Sequence, residues 1–168
     1  MASKKSAPER DVGEAPKTFI ALGANIPSAA GPPGATLRAA LAALEAKGLQ
    51  ILTVSTFRQT EAWPDPNDPP FTNAVAQIQT ELQPVALLRL LHEVETAFGR
   101  ERSAPNAPRS LDLDLIDYGG RVEAGEVELP HPRIAQRRFV LEPLAEIAPG
   151  WRHPATGEAV EALLARLD

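Results

Sequence analysis

The sequence predicts an α/β sandwich with elements in the order strand, helix, strand, strand, helix, strand, followed by a C-terminal helical and hairpin appendage. Three observations carry that expectation. Two amphipathic stretches read as helices, and each stops at a glycine, Gly48 and Gly99. Runs rich in β-branched and aromatic residues flank them. Neither the glycine spacing of a doubly wound nucleotide-binding fold nor a Gly-Lys-Ser/Thr phosphate loop is present.

Taken in order, residues 1–17 are polar with no periodic pattern and are expected to be a disordered tail. Residues 18–168 are expected to form a single domain. Thr18–Leu22 is a short apolar strand ending at Gly23-Ala24-Asn25, and the proline- and glycine-bearing stretch Ile26–Gly34 is loop. Ala35–Lys47 places Leu37, Ala40, Leu41 and Leu44 on one helical face. Leu49–Arg58 reads as one long strand, Glu61–Pro70 as an irregular loop, and Phe71–Thr80 as a strand with Val75 alternating against polar neighbours.

Pro84 suits the first turn of the second helix, whose predicted apolar face is Val85, Leu88, Leu91 and Val94, with Glu95 at its edge. Arg100–Pro108 is polar and turn-prone, and Leu111–Ile116 is a strand. Val122 and Val127–Leu129 suggest a small hairpin, residues 134–148 a helix broken around Pro143, and Ala159–Leu167 a terminal helix. This is the split β-α-β-β-α-β order of a ferredoxin-like sandwich, an α+β arrangement.

The chain has 168 residues and no cysteine, so it can build its core without disulfides, and thiolate metal sites and cysteine nucleophiles are excluded. Its start lacks the apolar run of a secretory signal and no stretch is long enough to span a bilayer, so a cytoplasmic protein without membrane partners is expected. A net charge of −5 argues against non-specific nucleic-acid binding. Arginines nevertheless gather at Arg100, Arg102 and Arg109 and again at Arg133, Arg137 and Arg138, a pattern suited to a small anion.

The sharpest motif is Leu111-Asp112-Leu113-Asp114-Leu115. On a strand the three leucines face the core and both carboxylates leave the opposite face, about 7 Å apart. On spacing alone an amphipathic strand with a solvated face accounts for this equally well. Aspartate is a poor strand former, however, and two carboxylates side by side repel unless a cation joins them. Such a pair could hold one magnesium ion, or two ions about 3.5–4 Å apart on a bound polyphosphate.

Ala107-Pro108-Arg109-Ser110-Leu111-Asp112-Leu113-Asp114-Leu115 closely resembles the signature block of the 6-hydroxymethyl-7,8-dihydropterin pyrophosphokinase family of folate biosynthesis. Ile20–Asn25, Phe71-Thr72-Asn73-Ala74 and Leu129-Pro130-His131-Pro132-Arg133 match in the same order. The resemblance implies that ATP is the pyrophosphate donor and 6-hydroxymethyl-7,8-dihydropterin the acceptor, with AMP leaving. It also implies two Mg2+ ions on Asp112 and Asp114, and a catalytic set completed by Arg100 and Arg102.

By the same resemblance Arg100, Arg102, Arg109, His131 and Arg137 contact the nucleotide. Asn73 bonds the pterin, Phe71 and Phe139 sandwich its ring, and Thr60, Glu61, Ala62 and Trp63 complete the pocket through their backbone. Glu95 matches an acidic position to which sequence assigns no role. Ser103 and Asn106 replace a lysine and a tryptophan frequent in the family's catalytic loop, and Pro132 an aromatic, which bears on loop closure rather than on reaction class. A monomer is expected. The rivals are another small magnesium-dependent kinase, a silent ligand sensor, and an RNA-binding module of the same fold, against which the aspartates on the open face argue.

Overall fold

Residues Thr18–Ala24 form the central strand, β1, of a five-stranded antiparallel sheet. The computed structural model describes residues 17–62, 64–99 and 110–168; the expected tail, residues 1–16, lies outside them. After β1 come α1 (Pro33–Ala46), β2 (Gln50–Val54), β3 (Arg58–Thr60), β4 (Phe71–Gln79), α2 (Pro84–Ala97) and β5 (Asp112–Tyr118). A 3-10 turn (Ile134–Gln136), α3 (Arg138–Ile147) and α4 (Val160–Arg166) follow. The sheet order is β2-β4-β1-β5, with β3 also on β4, which is the split order read from the sequence.

The helices start and stop for local reasons. Pro33 and Pro84 occupy first-turn positions, where a missing N–H is harmless. Gly48 and Gly99 take φ of +100° and +89°, a conformation that ends a helix and disfavours other residues. One face of the sheet packs Ile20, Leu22 and Ala24 of β1 and Leu113 and Leu115 of β5 against Leu37, Ala40 and Leu44 of α1 and Leu87, Leu91 and Val94 of α2. The α2 stripe is thus rotated from the predicted one. Leu87 is fully buried, Val85 and Leu88 only flank the core, and Glu95 is buried rather than at an edge.

The predicted strand Leu49–Arg58 is two strands. Register against β4 slips by one residue between Ile51 and Thr53 and again between Val54 and Arg58. At the second slip the Ser55 N–H donates to the Val75 carbonyl (2.9 Å), while the Val75 N–H donates to Ser55 Oγ (3.0 Å). A hydroxyl replaces a backbone carbonyl in the ladder, so propensity alone could not reveal the interruption.

The opposite face is not open throughout, and Val75 does not alternate with exposed neighbours. Phe19, Ala21, Val75 and Ile116 are covered by Val140, Leu141 and Leu144 of α3, by Trp151, and by Val160 and Leu163 of α4. Alternation sends Ile116 to this second core while Leu113 and Leu115 join the first, and a register shift in the β1–β5 pairing between Phe19 and Ile20 keeps Asp117, opposite Phe19, on the same side as Ile116. The helical break falls at Arg137, between the 3-10 turn and α3, and Pro143 is accommodated inside α3 as a buried side chain. In place of a hairpin there is one bridge, Glu123–Leu129, and Val122 is exposed. No helix among the described residues is long and apolar enough to cross a membrane.

The C-terminal layer is tied to the sheet by a buried polar contact. Trp151 Nε1 donates to Asp117 Oδ2 (2.9 Å), and the Gly120 N–H donates to Oδ1 (3.0 Å). Burial pushes the Asp117 pKa up in spite of both bonds. Trp151→Phe keeps most of the apolar contact but removes a donor from a buried carboxylate, so chemical denaturation should show a loss of about 1–3 kcal/mol.

Candidate functional site

Where α3 and α4 cease to cover the sheet, a cleft of about 630 Å³ opens. Its lining includes Thr60, Glu61, Phe71, Asn73, Asp112, Asp114, His131, Arg137 and Phe139. Nine positions singled out from the sequence therefore converge on one cavity. A larger hollow of about 1390 Å³ lies at the other end of the sheet, walled by Lys17, Gln79, Asp117 and Trp151. It holds none of the predicted residues, and Asp117 there already has its partners. The smaller cleft is the candidate site.

The sheet sets the cleft floor in rows. Gly23 of β1 lies opposite Asn73 of β4 on one side and Asp112 of β5 on the other. One step along the strand, Ala21 lies between Val75 and Asp114. Pleating sends Asn73, Gly23 and Asp112 to the same face, with Asn73 and Asp112 about 10 Å apart across two strand spacings. Nothing projects between them because position 23 has no side chain. A Cβ there would stand 2.8 Å from Asn73 Oδ1, closer than contact allows.

Each wall has its own support. Asn73 is 7% exposed, and its Nδ2 donates to Thr60 Oγ1 (2.7 Å), which fixes the amide's orientation. Asn25, also buried, donates from Nδ2 to the Pro69 carbonyl (3.1 Å) and ties the loop before β4 to the end of β1. On the facing wall Arg137 Nη1 stands 3.6 Å from Asp114 Oδ2, and its guanidinium carbon lies 5.6 Å from the Phe139 ring centroid. Arg137 therefore brings positive charge to the aspartate pair and lies against an aromatic at once.

His131 is placed by its own N–H, which donates to the Ile116 carbonyl (2.9 Å). Its Nδ1 accepts from the Arg133 N–H (3.1 Å), so the neutral ring carries its proton on Nε2. Burial first, then Arg137 and Arg133, lower its pKa to about 4 against the pull of Asp112. It is a neutral donor at physiological pH.

Glu95, without a role in the sequence reading, gains one here. It is 2% exposed, and its Oε2 accepts the Leu113 N–H (2.7 Å). Leu113 sits between the two aspartates, and its N–H points away from β1, so Glu95 anchors the outer edge of the strand that presents both carboxylates. Gly23, Ala21 and Gln136 also line the cleft without having been given site roles, and Arg133 and Arg138 line it from the arginine cluster that the sequence marked as suited to an anion. A glycine inside a strand is the sequence signal that could have marked the first. Ala62 is buried nearby but does not line the cleft. Trp63, Arg100, Arg102, Ser103, Asn106 and Arg109 lie outside the described residues.

The donor set suits a magnesium ion that arrives on a phosphate. Asp112 and Asp114 offer oxygen ligands on one face, and a cationic Arg137 already stands beside Asp114. No group of three possible metal-ligating side chains occurs among the described residues. Magnesium commonly uses one or two carboxylates and completes its shell with water and substrate phosphate, so a pair suffices.

A split α/β sandwich with paired carboxylates, arginines and an amide around one cleft suits a transferase that handles phosphate-bearing small molecules. The comparisons refine that class. Residues 19–149 match the model of the 7,8-dihydro-6-hydroxymethylpterin-pyrophosphokinase family. A 2-amino-4-hydroxy-6-hydroxymethyldihydropteridine pyrophosphokinase from a Synechocystis species is 38% identical over 151 residues, covering 89% of this chain and 75% of that one. Its counterpart in Methylorubrum extorquens is 38% identical over 154 residues, 90% of this chain and 94% of the other. A folic acid synthesis protein of Pneumocystis carinii is 33% identical over 153 residues, which span 89% of this chain but 20% of that longer protein. The chain belongs to the 7,8-dihydro-6-hydroxymethylpterin-pyrophosphokinase family and is an ATP-dependent diphosphotransferase.

The electrostatics make a direct prediction. The His131 ring resonances, followed by NMR in ligand-free protein, should titrate with a midpoint near 4. Arg137→Gln should move that midpoint upward by removing a nearby cation. A folded-state pKa below the unfolded 6.5 means that this residue's share of stability is intact above about pH 6.5 and falls away as pH drops toward 4. A midpoint near 6.5 in the native protein would contradict the assigned environment.

Proposed function

We propose that this chain transfers the terminal pyrophosphate of ATP to the hydroxymethyl group of 6-hydroxymethyl-7,8-dihydropterin, and that residues 18–168 form the domain that does so. The observation that carries the reading is the row Asn73–Gly23–Asp112. An amide that can donate and accept faces a phosphate-type carboxylate site across a floor without side chains. The span, about 10 Å, is comparable with the length of a pterin from its amide edge to its hydroxymethyl oxygen.

The residues divide the work along that row. Asn73 reads the amide edge of the pterin, with Thr60 holding its carboxamide in register. Phe71 and Phe139 stack on the two faces of the ring, and the backbone of Thr60 and Glu61 closes its far end. Neutral His131 donates from Nε2 to the nucleotide, and Arg137 follows the charge from Asp114 to the phosphates. Arg100, Arg102 and Arg109 complete the phosphate clamp from the segment before β5. Asp112 and Asp114 would hold two magnesium ions, which when bound would neutralise the phosphates and polarise the β-phosphoryl group.

In the reaction the pterin oxygen forms a bond to the β-phosphorus, the α–β bridge breaks with its oxygen leaving on AMP, and the hydroxyl proton passes to solvent. The floor contributes orientation, because it aligns the acceptor oxygen with the aspartate pair before chemistry begins. The enzyme works as a cytoplasmic monomer on small molecules, with no nucleic acid or membrane partner.

Purified protein with ATP, Mg2+ and the pterin should yield AMP and the pterin diphosphate in equal amounts. ADP as the nucleotide product would instead identify a simple kinase. Asp112→Ala and Asp114→Ala should each reduce turnover about a hundredfold or more without altering circular dichroism, since the leucine face is untouched. Near-normal AMP release would remove the aspartates from the site. Asn73→Ala should weaken pterin binding by about 1–3 kcal/mol and leave ATP binding nearly unchanged. Gly23→Ala should act in the same direction by displacing the amide, and calorimetric titration with each substrate separates the two effects.

A further inference from the structure

Outside the signature motifs, α3 is fastened to the outer edge of the sheet by a polar clasp. Glu146 Oε2 accepts both the Thr56 N–H and the Thr56 hydroxyl, each at 2.9 Å. Its Oε1 accepts from Arg58 Nη2 at 2.9 Å, and Arg58 Nη1 lies 3.8 Å from Glu142, one helical turn earlier. Thr56 lies in the interruption between β2 and β3, and Arg58 is the first residue of β3. The clasp therefore grips the second register slip.

Two features of the clasp are poorly explained by stability. Both partners are partly exposed, Arg58 at 40% and Glu146 at 32%, and ion pairs at such sites contribute little. α3 is already held to the sheet by Val140, Leu141 and Leu144.

What the clasp does fix is a spacing. Arg58 pairs in register with Asn73, and Thr60, two residues on, accepts the Asn73 amide. Phe139 stands in the first turn of the same helix that carries Glu142 and Glu146. The contacts at Thr56 and Arg58 thus join the strand edge that orients Asn73 to the helix that presents Phe139, across about 90 residues of sequence. Both Thr60 and Phe139 line the cleft.

We propose that Glu146 is a positioning residue for the pterin: through Thr56 and Arg58 it sets the distance between the Phe139 wall and the Asn73–Thr60 wall. This role depends on the pterin assignment above. Most of the nucleotide side of the cleft, built on β5 and His131, is held outside the clasp, and Arg137, which caps α3, is its one link to that helix, so the effect should fall chiefly on the pterin.

The test is calorimetric binding of pterin and of Mg-ATP, with steady-state kinetics and thermal melting, on Glu146→Ala, Glu146→Gln, Arg58→Met and Thr56→Val, beside Asn73→Ala. Glu146→Ala should raise the pterin Kd and KM about tenfold and change those for ATP by less than about twofold, with only a small shift in Tm. Glu146→Gln should fall between it and the parent, because the amide oxygen still accepts from Thr56 while the charge facing Arg58 is lost. If Glu146→Ala does not fold, Arg58→Met and Thr56→Val remove the two limbs separately, and each should weaken pterin binding selectively. Unchanged pterin affinity in the clasp variants, with Asn73→Ala still impaired, overturns the positioning role and leaves the pterin site standing. Equal losses for ATP and pterin alongside a large fall in Tm also overturn it. If Asn73→Ala itself leaves pterin affinity unchanged, the pterin assignment fails and the positioning role with it.

Discussion

The site depends on the taper of one strand. Along the cleft-facing side of β1 the residues run Phe19, Ala21, Gly23. Phe19 fills the second core beneath the C-terminal layer, Ala21 forms its margin, and Gly23 leaves the floor bare. Because β1 is the central strand, its missing side chain lies between functional groups on both neighbours. A methyl group there would meet the Asn73 carboxamide and narrow the gap to Asp112. The same strand presents Ile20, Leu22 and Ala24 to α1 and α2 without interruption, so the cleft costs the main core nothing.

Charge in the cleft is arranged in opposition. Two aspartates on an edge strand would repel one another, and β5 carries them because Leu111, Leu113 and Leu115 bury the other face and Glu95 holds the Leu113 amide. Arg137 supplies a counter-charge from the facing wall. That same guanidinium, together with burial, keeps His131 neutral. The basic residues around the C-terminal turn therefore act as one electrostatic unit with the pair, and a polyphosphate that brings its own cations fits between them.

Several failures of sequence reasoning share a physical origin. Leu49–Arg58 has strand propensity throughout, but the interruption at Ser55 arises when a hydroxyl meets the amide of Val75, twenty residues away. Val75 was expected to alternate against polar neighbours, yet it stands between buried Ala74 and Ala76 and both faces of β4 are covered there, because α3 and α4 return over the sheet from the end of the chain. The rotation of the α2 stripe toward Leu87 is set by where β5 lies, and the position of the helical break at Arg137 by how α3 packs. Glu146 carries no sequence mark at all, since its partners lie about 90 residues upstream.

By itself the sequence determined the order of elements, the two-faced character of β5 and the residue types of the site, because these follow from local periodicity, helix-ending glycines and an alternating Leu-Asp motif. Its motifs also pointed to the family that the comparisons establish. What only the tertiary structure decided is convergence. Strand pairing sets Asn73, Gly23 and Asp112 in one row, and the returning C-terminal segment turns an exposed sheet face into a walled cleft. The physical reason is that a side chain's direction follows from its own backbone, whereas the distance between two side chains depends on register and packing among elements far apart in the chain.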